Sequence, residues 1–196
     1  RTLFLTPEGE ALRVAARDVL GRLDDVRMEL DALEGRLRGP LRLAVVSSAQ
    51  YFVPHLLAAF LAVHPGVELR QRVVNRAAAL EHLETNAVDL AILALVPEER
   101  ALELLPFLDN ELHVVAAPGH GAAGATHLED LAAVPFLMRE PGSGLRRALE
   151  SEWERRRMRP PQLELGSLEA VREGVRAGLG VALLPRHAVH RELAGG

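Results

Sequence analysis

The sequence predicts an α/β protein, two lobes preceded by a long dimerisation helix. Three observations predict it. An apolar stripe runs through the first 38 residues, where Leu12, Ala16, Val19, Leu23, Val26, Leu30, Leu33 and Leu37 follow one another at alternating intervals of four and three. That is an a/d heptad seam, and a seam of this length needs a second helix of similar length to cover it. No later segment offers one, so the expected partner is the same helix of another copy. From Leu41 onward, apolar runs of strand and helix length alternate as strand, helix, strand, helix, strand. Two consecutive βαβ units of this kind form a parallel sheet with right-handed crossovers. A Gly- and Ala-rich stretch, Pro118 to Ala125, then leads to a second set of strand and helix signals that ends near Pro185.

Taken in order, Thr2 to Leu5 reads as a short strand. Thr6 is a good N-cap, Pro7 suits the first helical position because its missing N–H is one a helix start leaves idle, and Glu8 brings negative charge to the positive helix end. The helix is expected to reach about Arg38, a length of ~48 Å at 1.5 Å per residue, where Gly39-Pro40 stops it and acts as a hinge. Leu41 to Val46 is strand-like, Tyr51 to Val63 helical, and Val67 to Val73 a second strand. Asn75 caps a short helix to about Thr85, and Asp89 to Leu95 reads as a buried apolar strand. Leu104 to Leu108 and Leu112 to Ala116 follow as strands. In the second lobe, Thr126-His127-Leu128-Glu129 reads as a capping box opening a short helix. Phe136 to Met138 is a strand, Ser143 to Arg157 a helix and Leu163 to Leu165 a strand. Ser167 caps a helix to Ala177, Gly178 and Gly180 end it, and Val181 to Leu184 is a last buried strand. The domains are accordingly residues 7–38 (helix), 41–117 (first lobe), 118–185 (second lobe) and 186–196 (the start of a return towards the first lobe).

Composition removes several functions. A chain of 196 residues, 48% hydrophobic and 26% charged, has the make-up of an ordinary globule. It has no cysteine, hence no disulfide, thiolate metal site or cysteine nucleophile. All 23 basic residues are arginine, so neither a Schiff-base lysine nor a P-loop lysine is available. A formal net charge of −4 is not that of an autonomous DNA-binding domain. No run of 18 apolar residues occurs and the N-terminal helix is charged rather than a signal peptide, so a cytoplasmic location is expected. The eight histidines form no metal pattern: His187 and His190 stand at i, i+3 without a third ligand nearby in sequence. No Ser-His-Asp, HExxH or GxSxG arrangement appears, so neither enzymatic activity nor a metal or cofactor is expected. The run Arg155-Arg156-Arg157 with Arg159 reads as a nucleic-acid patch or, in preference, as a solvated helix end where cations offset the dipole, and Trp153 reads as packing.

Three stretches together resemble a LysR-type transcriptional regulator. Phe4-Leu5-Thr6-Pro7-Glu8-Gly9 is similar to the end of that family's winged helix-turn-helix domain and the start of its linker helix. Leu43-Ala44-Val45-Val46-Ser47-Ser48, with Val53-Pro54, Phe60 and His64-Pro65, is similar to the first strand and helix of its effector domain. Asn86-Ala87-Val88-Asp89-Leu90-Ala91-Ile92 is similar to its helix-to-third-strand join. A narrower likeness, to regulators of carbon dioxide fixation operons, lies in Tyr51-Phe52-Val53-Pro54, Val74-Asn75-Arg76, Arg139-Glu140-Pro141-Gly142-Ser143-Gly144 and Gly166-Ser167. Leu145 and Leu168 depart from that subgroup, standing where Thr and Asn are usual. The resemblance implies a two-lobe, periplasmic-binding-protein-like effector domain, with residues 1–6 as the remnant of a wing. It implies a homodimer or homotetramer, and a small anionic effector, phosphorylated in the subgroup. Promoter DNA would be bound only through a domain upstream of Arg1, and a further return into the first lobe would follow Gly196.

In open α/β sheets ligands sit at the carboxyl ends of strands, which puts the expected site in a cleft between lobes. Ser47, Ser48 and Gln50 follow the first strand at a helix start, where hydroxyls and idle N–H groups hold a carboxylate or phosphate; simple capping accounts for them too. Gly142-Ser143-Gly144 opens another helix, with Arg146 as a bidentate fork and Arg139 as a second positive charge, although a plain helix-start loop reads the same way. Ser167 and Glu169 start a third helix, as wall of the cleft or as cap and dipole compensation. Asn75 and Arg76 line the mouth or are a cap and a solvated charge. Two other classes compete with a regulator. A plain solute-binding protein of the same fold predicts a secretion signal and no dimer helix; an enzyme predicts a nucleophile with its base.

Overall fold

A computed structural model describes residues 4–33, 37–96, 102–122 and 124–195. They divide into two compact units, residues 1–74 with 78–92 and residues 75–77 with 93–196. The sequence reading sets the lobe boundary at residue 117, whereas contacts set it at Ile92 and assign Asn75–Ala77 to the second unit.

The first unit opens with α1, Pro7–Leu33. Its start is as read: the Gly9 N–H donates to Thr6 Oγ1 at 3.1 Å, and backbone and Thr6 hydrogen bonds hold the Glu8 carboxyl below its ordinary pKa. Phe4 and Leu5 carry no strand, and the rest of the expected strand lies outside the described residues. One face of α1 turns to its own unit: Asn86 Nδ2 donates to Asp18 Oδ1 at 2.8 Å, and Met28 packs beside Gly39. The seam lies on another face. Leu12, Val19, Leu23, Val26, Leu30 and Leu33 are 52–85% exposed, so the chain's own globule does not cover them.

The helix ends earlier than the heptads suggested. Leu37 lies beyond α1, and Gly39-Pro40 is not a hinge but part of β1, Arg38–Val46. Parallel pairing with β2, Gly66–Val74, extends β1 to that point, since Arg38 faces Gly66 and Pro40 faces Glu68. On its other side β1 meets β3, Leu90–Ile92, only from Leu43 to Val45, so Pro40 withholds no N–H from that ladder. The order β2-β1-β3, all parallel, is that of two βαβ units. A 3₁₀ turn, Ala49–Tyr51, and then α2, Val53–Val63, form the first crossover. The helix α3, Arg76–Glu84, forms the second. Leu43, Ala44, Val45, Val53, Ala79, Leu80 and Val88 make the core. Asp89 clamps the sheet: its carboxylate accepts from Arg42 N at 2.7 Å and Arg42 Nε at 3.1 Å, while its own N–H donates to Arg42 O at 2.9 Å.

Three expectations fail here. The buried strand Asp89–Leu95 shrinks to β3, and Leu90 is exposed; the chain bends away by Leu95, which takes a left-handed φ of 57°. Leu104–Leu108 is not a strand: Pro106 lacks a donor, and Leu104, Leu105, Phe107 and Leu108 stay exposed. The capping box is shifted by one residue. Asp130, not Glu129, accepts from His127 N at 2.9 Å, and the turn it starts, Leu128–Leu131, is 3₁₀.

In the second unit β4, Leu112–Val115, pairs antiparallel with β7, Ala182–Pro185. β5, Phe136–Met138, pairs parallel with β6, Gln162–Glu164. Phe136 also bridges to Val181, which ties the two ladders together. The helices are α4, Gly144–Arg156, α5, Leu168–Arg176, and α6, Arg186–Gly195. Leu131, Phe136, Met138, Leu149, Trp153 and Val181 form one core cluster, where the Phe136 and Trp153 rings meet edge to face, 5.0 Å apart at 82°. Leu145 and Leu168, the two departures from the subgroup pattern, are buried, so both positions serve packing.

Gly180 is needed for this ladder. A Cβ there would lie 2.2 Å from the Pro135 carbonyl oxygen, which accepts the Val181 N–H at 2.9 Å. Gly180→Ala is therefore expected to destabilise the chain by about 1–3 kcal/mol, read as a lowered midpoint in denaturant unfolding.

Candidate functional site

The second unit gathers most of the expected residues around one turn. The β5 strand ends at Met138, and the chain turns through Arg139–Ser143 into α4. Gly142 has φ of +90°, a conformation open to glycine. A Cβ there would meet Ala77 Cβ at 3.1 Å and the Asn75 amide nitrogen at 3.2 Å. Without one, the Gly142 carbonyl accepts the Ala77 N–H at 3.1 Å, and Arg76 lies along Gly144, its Cδ 3.4 Å from where a Cβ would be. Asn75, Arg76, Gly142, Ser143 and Gly144 thus come together, and Arg76 Nε donates to Leu95 O at 2.7 Å.

Ser143 is 5% exposed and stands at the N-cap of α4, yet its hydroxyl makes no capping bond. The Ser143 carbonyl accepts from Arg147, so α4 starts with first-turn N–H groups and an uncommitted hydroxyl at its positive end. At α5 the arrangement is the reverse. Ser167 Oγ accepts the Ala170 N–H at 3.0 Å, and Glu169 brings a negative charge to the first turn. The α5 start is capped and compensated by the protein itself.

Arg139 and Arg146 are in place but not as open forks. Arg139 is 7% exposed and gripped bidentately by its neighbour Glu140, at 2.7 and 2.8 Å. Arg146 donates to Glu150 at 2.7 Å, to Glu164 at 2.5 Å and to the Arg139 carbonyl at 3.0 Å. Its hydrogen bonds to the Glu150 and then the Glu164 carboxylate raise its pKa further, so it stays charged. The geometry makes it a brace for the 139–144 loop. Sequence reasoning missed the three counter-charges, although Arg146 and Glu150 stand at i, i+4 and Arg139 and Glu140 are adjacent.

In the first unit, Ser47, Ser48 and Gln50 sit half-buried just after β1. Ser48 precedes the 3₁₀ turn without a side-chain capping bond, and Phe52 and Pro54 begin α2. Among the described residues no group of three or more His, Asp or Glu side chains is arranged to hold a metal ion. No helix there is long and apolar enough to cross a membrane.

Comparison with known proteins shows the family. Residues 34–196 match the LysR substrate binding domain. The RuBisCO operon transcriptional regulator of Acidithiobacillus ferrooxidans is 39% identical over 199 residues. The HTH-type transcriptional regulator CbbR of Rhodospirillum rubrum is 40% identical over 199 residues. Both alignments take in 100% of this chain, which spans 64% and 66% of those two relatives. Both are regulators rather than enzymes. Among solved structures, the Synechocystis PCC6803 CcmR regulatory domain in complex with 2-PG is similar with a TM-score of 0.73 and 38% identity, over 78% of this chain and 74% of that one. An H2O2-bound OxyR of Corynebacterium glutamicum has a TM-score of 0.73 and 26% identity, over 97% of this chain and 62% of that one.

Gly142→Ala is expected to destabilise the chain by about 1 kcal/mol or more, because alanine is strained at this φ. It should also displace the Asn75 side-chain amide resonances, and both effects are measurable on one sample by denaturant unfolding and by NMR.

Proposed function

The chain belongs to the LysR substrate binding domain family, and on that premise we propose that it is the effector-sensing and oligomerisation region of a bacterial LysR-type transcriptional regulator. Its effector is a small phosphorylated anion. It acts in the cytoplasm as a homodimer or homotetramer, and it reaches promoter DNA through a winged helix-turn-helix domain that is not among the residues described here. The observation that carries the reading is the uncapped start of α4, where buried Ser143 offers a hydroxyl that caps nothing, beside Asn75 and Arg76. Backbone N–H groups at a helix N-terminus suit a phosphate or carboxylate. The 38% identical CcmR regulatory domain, solved with 2-PG, supports the ligand class. The heptad seam favours a regulator over a free solute-binding protein, which has no use for such a helix.

Signalling would follow from differential affinity: a ligand shifts an equilibrium between two arrangements only by as much as it prefers one, typically about 1–3 kcal/mol. The exposed seam from Leu12 to Leu33 would carry that shift outward by pairing two copies.

Two experiments test the reading. Titration calorimetry with 2-PG should give saturable binding, weakened about tenfold or more in Ser143→Ala and in Asn75→Ala, since a hydrogen bond to a charged group is worth about 1.5–3 kcal/mol. Unaltered affinity in Ser143→Ala removes the α4 start from the site. Light scattering should show the double variant Leu23→Asp with Leu30→Asp as a monomer with an unchanged circular dichroism spectrum, because both leucines are exposed in the single chain. An unchanged mass refutes the seam.

A further inference from the structure

An arginine in the first turn of α4 runs against the helix dipole. The N-terminal end of a helix is partly positive, which favours carboxylates there and disfavours cations. The first turn of α4 nevertheless holds no acidic residue, and Arg146 is the third residue of the helix. The path of its guanidinium supplies a reason.

Arg146 Nη1 donates to two acceptors that belong to two different strands. One is the Arg139 carbonyl at 3.0 Å, just past the end of β5, and the other is the carboxylate of Glu164 at 2.5 Å, the last residue of β6. Those strand ends lie side by side: Met138 faces Glu164 in the parallel register, and the Leu165 N–H donates to the Met138 carbonyl at 2.8 Å. The third bond, from Nε to Glu150 at 2.7 Å, stays within α4. Of the three, the first two fix the head of α4 to the carboxyl ends of β5 and β6, where an α/β sheet places its ligands.

Two roles are open to Arg146, and they predict opposite signs. As a direct ligand contact, it is held back by its two carboxylates. Removing either would release a donor and take a negative charge away from a bound anion, so affinity would rise. As an anchor, it acts through position. Without Glu164 the α4 head loses its tie to β6 and its first-turn N–H groups shift, so affinity falls although a negative charge has gone. The observed bonds all run to protein acceptors, which favours the anchor.

We propose that Arg146 is a positioning residue rather than a ligand contact, and that its tie to Glu164 on β6 sets where Ser143 and the first-turn N–H groups of α4 stand. The inference rests on the anion reading above and deepens it. It gives Glu164, outside the 139–144 loop and negatively charged, a share in the affinity for an anion.

The test compares three variants of the whole chain. Glu164→Val deletes the acceptor at an exposed strand position that valine suits. Glu164→Gln keeps an acceptor oxygen of the same reach. Glu150→Ala removes the carboxylate whose bond stays within the helix. Without ligand, the backbone amide cross-peaks of Gly144 and Leu145 are expected to move in Glu164→Val and to stay near their wild-type positions in the other two. With 2-PG, titration calorimetry should show affinity lowered about tenfold in Glu164→Val, and held or raised in Glu164→Gln and Glu150→Ala. Unaltered or tighter binding in Glu164→Val overturns the proposal. So do unmoved Gly144 and Leu145 cross-peaks in that variant, or an equal loss of affinity in Glu164→Gln or Glu150→Ala. If the wild-type chain does not bind 2-PG, the anion reading fails, and the two cross-peaks alone decide whether Arg146 positions the α4 head.

Discussion

One left-handed turn holds the candidate site together. Gly142 brings its carbonyl to the Ala77 N–H because no Cβ stands between them. Asn75–Ala77, which follows the last residue of β2, belongs with the second unit. The same turn sets Ser143 in a buried position at the head of α4, and the Arg146 bond to the Arg139 carbonyl fixes it from the other side. The loop's path and the placement of Ser143 therefore share one requirement, a glycine at one position.

The electrostatics of the site differ from a simple cluster of arginines. Arg139 and Arg146 each meet carboxylates within 2.8 Å, so neither presents an unbalanced charge. Attraction for an anion then falls to the first-turn N–H groups of α4, where the helix dipole amounts to about half a positive charge. Such a site discriminates by directed hydrogen bonds more than by net charge. It suits a ligand with several acceptor oxygens in a compact group. The contrast with α5 is instructive, because there Ser167 and Glu169 satisfy the helix start from within.

Periodicity made the fold legible. The parallel sheet of β1 to β3, the helices α2 to α5 and the strands β4 to β7 all fall within a few residues of where apolar spacing and caps place them. The failures have physical causes that local sequence does not carry. Pairing with Gly66 drew Gly39-Pro40 into β1, and a left-handed Leu95 cut β3 short. The apolar run at Leu104–Leu108 has strand composition, but no partner strand among the described residues. At the site, the Gly-Ser-Gly turn and Ser167 were readable as helix starts. Their different chemistry was not, because it depends on whether the serine hydroxyl bends back to its own helix.

The most direct test of the central claim is residue-resolved. During titration with 2-PG, the backbone amide resonances of Gly144 and Leu145 are followed beside that of Ala170. The account predicts large, saturable shifts for the α4 amides and almost none for Ala170, whose N–H Ser167 already holds. Shifts confined to α5, or no response at Gly144 and Leu145 while binding is saturated, would contradict it.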